Sequence, residues 1–366
     1  MKFIGIDLHS NKFTICIIHE NGEKEKITFK VSIDSLEKFK SYLDLDTMVI
    51  VEASTNTFKF VDAIKDSVKE VIVVNTYKMK MIPMDNKKTD KIDAEKLAIY
   101  LKMCVSSGEK LIKPVYIPEQ TIQDLRSLFT TYNLIKRHIG STKNRIHALL
   151  KQNLQPFTKE YIFGKKSSEE IRNLNIGAVS SYQIDFLFDE LENKEDLMGL
   201  IENKIKLIGS AYIEKIEILT SMKGISVITA IAIIADIAKV DRFPNSKHFT
   251  SYLRSAPRVD SSNEVTIIRG TTKMGRKLSV SLITQSLNHF RDSNPRLNRW
   301  YREKEPFHNK KGKLRMALCR KVFAEIYHML DRNEYHYFRD KSLHEKKMNE
   351  YYKLLDGNGV SFKKSA

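Results

Sequence analysis

Cysteine is scarce in this chain: among 366 residues there are three, Cys16, Cys104 and Cys319. They are far apart, odd in number and outside any CxxC spacing. That excludes a disulfide scaffold and a cysteine zinc site, and it favours a reducing cytoplasm. Long apolar runs are missing too, since none reaches the ~18 to 20 residues that a bilayer span needs. The opening MKFIGIDLHS does not read as a signal peptide, so a cytoplasmic protein without a membrane partner is expected. No internal repeat is found, and no helix-turn-helix signature, zinc finger or basic zipper. Hydrophobic residues make up 42% and charged ones 29%, too apolar a balance for a disordered chain. At ~150 residues per domain, the length suggests two or three domains.

Acidic charge is short in one part only. Lys and Arg number 62 against 45 Asp and Glu, a formal net charge of +17. Residues 1–110 hold 18 basic and 17 acidic residues, whereas 251–321 holds 17 basic and 5 acidic ones. A polyanion would therefore meet the C-terminal part, and nucleic acid is the leading candidate. A solvated basic surface fits the same numbers.

The N-terminal region reads as α/β. FIGIDLH and FTICIIHE, joined by a tight turn, predict a hairpin, and EKITFKVS a third strand. SIDSLEKFKSYL has helical spacing, TMVIVEAS is a buried strand, and TFKFVDAIKDS is a helix. EVIVVN is a further strand, and TDKIDAEKLAIYLKM a helix whose start is marked by Thr89 and Asp90. This order predicts a mixed sheet with helices packed on it. From about Pro118 long amphipathic helices take over. Apolar stripes over 122–150 and 201–219 suggest a helical hairpin or coiled-coil arm. Near Leu219, LTSMKGISVITAIAIIADI resembles a helix-hairpin-helix, and an ordinary helical hairpin fits it equally well. SYLRSAPRVDSSNEVTIIRGTTKMGRKLSVSLI then reads as a basic loop region leading into a helix, and the tail as basic and helical. Expected parts are 1–116, 117–218, 219–330 and 331–366.

Four carboxylates attract notice. Asp7 and Glu52 each end an apolar strand, and Asp90 and Asp93 stand three apart on one helix face. Carboxylates at strand ends are costly if buried alone, and four together could not stay ionised without bound cations. Hard oxygen ligands suit Mg²⁺ or Mn²⁺, and a pair of such ions would serve phosphoryl transfer. Each residue also has a plain reading: Asp90 as a helix cap, Asp93 as its dipole partner, Asp7 as a turn residue, Glu52 as a solvated strand end. Basic residues punctuate the first long helix (Arg126, Lys136, Arg137, Lys143, Arg145). Others cluster over 254–277: Arg254, Arg258, Arg269, Lys273, Arg276 and Lys277. All of these are placed to neutralise phosphates along DNA.

FIGIDLHSNKF, VEAS, NTYKMK and KKTDKIDAEKLA together resemble the DEDD transposases of IS110-type bacterial insertion sequences and the Piv DNA invertases. NRIHALL is similar to the middle of that family's coiled coil. MKGISVITAIAIIADI, FPNSKHFTSYLRSAPRVDSSN and GTTKMG are similar to its C-terminal transposase domain, so the resemblance spans nearly the whole chain. It implies an RNase H-like (RuvC-like) α/β domain with Asp7, Glu52, Asp90 and Asp93 as Mg²⁺ ligands. A long helical coiled-coil arm and a mostly helical C-terminal transposase domain would follow. It implies a serine nucleophile as well, for which Ser262 in APRVDSSN is the match, forming a covalent phosphoserine link to DNA. Ser261 is adjacent, Asn263 stands where the family prefers Gly, and Thr272 where many relatives carry Ser. Outside the family, a serine in a polar loop reads as a turn residue. The resemblance further implies a non-coding bridge RNA that pairs with donor and target DNA, and a dimer or tetramer joined through the long helices.

Three other readings compete. A junction-resolving two-metal nuclease would use water and leave Ser262 idle. A non-enzymatic, basic nucleic-acid-binding protein would need none of the four carboxylates. Actin-like ATPases share the sheet topology, but they need Gly/Thr-rich phosphate loops. The turn after Asp7 has no Gly.

Overall fold

Strand propensity and burial agree in the N-terminal part. Six consecutive residues of β1 (Lys2–Leu8) and six of β2 (Lys12–Ile18) are buried, most of them β-branched or aromatic. The chain continues through β3 (Lys24–Lys30), α1 (Ile33–Lys40), β4 (Thr47–Glu52), α2 (Thr57–Ile64), β5 (Glu70–Val74) and α3 (Asp90–Ser107), the order expected from the sequence. The computed structural model describes residues 1–75, 89–108, 114–155, 162–262, 265–272, 275–307 and 310–362. It divides into two compact units, Met1–Pro118 and Glu119–Ala366.

In the first unit the five strands run in the order β3-β2-β1-β4-β5. β1 pairs antiparallel with β2 and parallel with β4, and β4 pairs parallel with β5. Because strand residues alternate faces, the sheet has two cores. Ile4, Ile6, Phe13, Ile15, Val49 and Val51 meet Phe39 of α1 and Phe60 and Ile64 of α2. Phe3, Cys16, Ile18, Met48 and Ile50 meet Ala94, Leu97, Ala98 and Leu101 of α3. Gly5 lies on the second face, where an added Cβ would come within 2.2 Å of the Ala94 carbonyl oxygen and 2.4 Å of the Ala98 nitrogen. Only a residue without a side chain lets α3 sit this close to the central strand.

The second unit is helical apart from one hairpin. α4 (Gln120–Gln152) and α6 (Ala178–Gly209) lie antiparallel, with α5 (Lys165–Arg172) between them in sequence. Ile146, Leu149 and Leu150 of α4 pack against Ile184, Phe188 and Leu191 of α6. α7 (Ile213–Thr220) turns through Gly224, at φ +105°, into α8 (Val227–Ile237). Ser226 caps α8 by accepting the Thr229 amide at 3.2 Å. From Ile228 onward α8 is wholly buried, so this Ala/Ile helix is a centre around which the unit is built. α9 (Ser246–Tyr252) leads to β6 (Pro257–Ser262) and β7 (Val265–Thr271). α10 (Leu278–Gln285), α11 (Leu287–Ser293), α12 (Pro295–Lys304), α13 (Lys311–Arg332) and α14 (Lys341–Gly357) complete it. The sequence reading of 251–283 as loop leading into helix is corrected here: β6 and β7 form an antiparallel pair, with Ser262 opposite Val265 and Val259 opposite Ile268. Val265, Ile267 and Ile268 supply the β-branched strand residues among the polar and basic ones. No helix among the described residues is long and apolar enough to cross a membrane.

Candidate functional site

The parallel register places Ile6 beside Val51, so the next residues, Asp7 and Glu52, stand side by side at the C-terminal edge of β1 and β4. Alternation puts both on the face that α3 covers. α3 begins there because Thr89, in extended conformation, accepts the Ile92 amide with its hydroxyl at 3.4 Å. Asp90 and Asp93 fall in its first turn, where the helix dipole favours negative charge. The backbone therefore places Asp7 and Glu52 at one strand edge and Asp90 and Asp93 in the first turn of α3; of the four, Asp7 and Asp90 are brought together with His9, and Glu52 and Asp93 stand outside that group.

Asp7 is buried, at 6% exposure. Its Oδ2 lies 3.1 Å from His9 Nε2, and the same nitrogen lies 3.6 Å from Asp90 Oδ1. Lys12 forms an ion pair with the other oxygen of Asp90. Burial pushes the Asp7 carboxyl above its ordinary range. Asp90 and Asp93 push the same way, and His9 opposes them. Asp90 is held below its ordinary range, mainly by the hydrogen bond from Lys12. One ligand atom from each of Asp7, His9 and Asp90 lies within 4.8 Å of the others, an arrangement able to hold a metal ion. Glu52 is half-buried, and its carbonyl accepts the Thr57 hydroxyl at 2.8 Å, which shapes the turn after β4.

His9 and Lys12 were not singled out in the sequence. The signal for both is local: they flank the turn between two strands whose first carries Asp7, so the hairpin returns His9 to the Asp7 side chain and Lys12 to that of Asp90.

Ser262 is the last residue of β6, in the second unit. The base of its hairpin is pinned. Arg254 donates its Nε–H to the Gly275 carbonyl at 2.6 Å, and the Arg276 amide donates to the Tyr252 carbonyl at 3.0 Å. Gly275 has φ +98°, and a Cβ there would lie 2.2 Å from that same Tyr252 oxygen. Beyond the hairpin, buried Asp236 of α8 accepts the Ser279 amide at 2.9 Å and the Ser279 hydroxyl at 2.7 Å, and faces Arg276 Nε at 3.7 Å. Burial drives the Asp236 carboxyl upward, while Ser279, Arg276 and Arg126 pull it down. Replacing Asp236 by Ala strands two Ser279 donors and leaves Arg276 without its acid. It should cost about 3–5 kcal/mol in urea unfolding, and Asp236→Asn, which keeps an acceptor, less. An alanine variant within about 1 kcal/mol of wild type would show that the cluster does not hold the hairpin base.

Among the basic residues, Arg126 departs from expectation. Its guanidinium donates to the carbonyls of Ala235 and Asp236 at 2.7 and 3.1 Å, so it caps α8 instead of facing phosphate. Burial and repulsion from Arg276 lower its pKa to about 10. Lys143 pairs with Glu195 at 2.7 Å, and Lys136 donates to Gln285 at 3.2 Å. Arg137, Arg145, Arg258 and Lys277 are exposed, and Arg254 and Arg276 half-buried. Arg269 belongs to β7, and Lys273 lies outside the described residues.

A mixed sheet in this strand order, with carboxylates gathered at one edge beside a helix start, is compatible with the RNase H-like class of α/β domain. The model of the DEDD transposases of IS110 type matches residues 4–154, and that of the IS116/IS110/IS902 transposase family matches residues 216–302. The chain belongs to the IS110 family of transposases, enzymes that recombine DNA at insertion sequences. A comparison with curated proteins finds no match.

Proposed function

We propose that this transposase cuts and rejoins DNA through two groups of residues carried on different units. Asp7, Glu52, Asp90 and Asp93 would hold Mg²⁺, or Mn²⁺ in its place. The donor set fits, because carboxylate oxygens are hard ligands and Asp7 is a buried acid crowded by two others. A divalent cation bound there supplies Lewis-acid polarisation of a phosphate and neutralises developing charge. Ser262 is the nucleophile: its Oγ bonds to phosphorus, its proton passes to a base, and the bond to the leaving ribose oxygen breaks as that oxygen takes up a proton. The phosphodiester energy is kept in the phosphoserine link, and the reverse attack by a new hydroxyl rejoins the strand.

Arg137, Lys143, Arg145, Arg254, Arg258, Arg269, Lys273, Arg276 and Lys277 serve as phosphate contacts, with little base selectivity. Target choice falls to a bridge RNA. The α4–α6 pair acts as a coiled-coil arm joining copies into a dimer or tetramer. The convergence of Asp7 and Asp90 on His9, within the part matched by the DEDD model, carries this reading.

The test is direct. Protein, cognate DNA and the RNA encoded beside the gene are incubated with Mg²⁺ or with EDTA, then denatured. A protein–DNA adduct that needs the metal is expected. Metal-dependent cleavage without adduct would favour the water-using nuclease, and binding without breakage a non-enzymatic role.

A further inference from the structure

The stretch from Pro306 to Lys321 contains six Lys or Arg and no Asp or Glu, and no phosphate contact proposed above belongs to it. It follows α12 and forms the start of α13. Leu297 and Tyr301 turn one face of α12 inward. Asn294 at its N-cap donates to both carboxylate oxygens of Glu325 on α13, at 3.0 and 3.2 Å, so the two helices are tied together. The outward faces meet where Lys321 Nζ sits 4.8 Å from the ring centre of Trp300. Arg299 on α12 and Lys311 and Lys313 at the start of α13 are exposed. Phe307, between the helices, is 82% exposed. Exposed Glu303 and Glu305 precede it in the chain, and Lys311 and Lys313 follow it. An aromatic ring left in water makes no contribution to a core, and its flat apolar face is available to a ligand.

We propose that this α12–α13 face binds a single-stranded segment of nucleic acid, its phosphates on Arg299, Lys311 and Lys313 and an unpaired base stacked on Phe307. Cations alone would serve a duplex as well as a single strand. An exposed aromatic face serves only bases that are not already stacked within a helix, and stacking is tolerant of sequence. The inference goes beyond the recombinase reading and requires neither metal nor strand cleavage, so either can fail alone.

Trp300 is the chain's single tryptophan, which makes its emission a reporter for this face. The full-length protein is titrated in EDTA with dT₂₀, U₂₀ and a 20-base-pair duplex, following both anisotropy of the labelled strand and Trp300 emission. Single strands should quench Trp300 saturably, and the dT and U arms tell a DNA source from an RNA source. Phe307→Ala should weaken single-strand binding about ten-fold and leave duplex binding unchanged. Arg299→Glu with Lys313→Glu should weaken it further and flatten the salt dependence by roughly 0.7 log units for each phosphate no longer neutralised. Circular dichroism checks that each variant folds. Single-strand binding without a change in Trp300 emission would overturn the proposal, as would a duplex that quenches equally, or a Phe307→Ala variant that binds like wild type.

Discussion

Asp7→Asn should abolish strand cleavage, lowering its rate by at least about a thousand-fold, roughly 4 kcal/mol of transition-state stabilisation. The size of the effect follows from where the carboxylate sits. β1 is the central strand, Asp7 its buried residue at the site edge, and Gly5 two positions earlier lets α3 bring Asp90 and Asp93 close. Asparagine keeps the shape and removes the charge that would hold a cation, so nucleic-acid binding should survive while the chemistry stops. Stability gives a second readout. Burial and two neighbouring carboxylates raise the Asp7 pKa above its ordinary value of 3.8, so the folded chain holds that proton more tightly than the unfolded one. Stability without metal therefore falls as pH rises from about 4 through the raised value. Asp7→Asn removes this slope and should raise the metal-free melting temperature, whereas Mg²⁺ should raise that of the wild type alone. Cleavage retained within ten-fold of wild type would sink the assignment. A variant whose melting still responds to Mg²⁺ like wild type would place the ion elsewhere.

Much of the first unit could be read before any coordinates, because its signals are local. β-branched runs such as FIGI and MVIV, and the Thr89 cap before Asp90, carry their structure within a few residues. The placing of Asp7 beside Glu52 was open to inference only by assuming which strands are neighbours, and the register of β1 on β4 now supplies that. Other features depend on partners far away in sequence. Arg126 looks like any basic residue on an amphipathic helix until α8 places two carbonyls at its guanidinium, more than a hundred residues on. Asp236 reads as one polar residue in an Ala/Ile helix, and only Ser279 and Arg276 explain why it is tolerated there. The β6–β7 pair was missed because polar and basic residues interrupt the alternation that marks a strand. The pairing of Val259 with Ile268 is a tertiary fact, not a pattern.

Ser262→Ala should eliminate the covalent protein–DNA adduct, a loss on the order of 10⁴-fold or more, since no other atom at that position can take its place. DNA binding should be unchanged, because a hydroxyl adds little to an interface dominated by phosphate charge. The neighbouring serine makes the experiment sharp. Ser261 and Ser262 are consecutive positions of β6, opposite Thr266 and Val265. A strand alternates its faces, so a shift of one residue exchanges one side of the hairpin for the other. Ser261→Ala should therefore keep the adduct if Ser262 is the nucleophile, and Thr272→Ala should keep it too. The pinned base, through Arg254, Gly275 and the Arg276 amide, argues that the hairpin is held at a set angle, so the discrimination should be close to complete. Cleavage that persists in Ser262→Ala while vanishing in Asp7→Asn would replace the serine with water and reduce the enzyme to a nuclease. An adduct that persists in Ser262→Ala but is lost in Ser261→Ala would move the nucleophile by one register position and keep the rest of the mechanism.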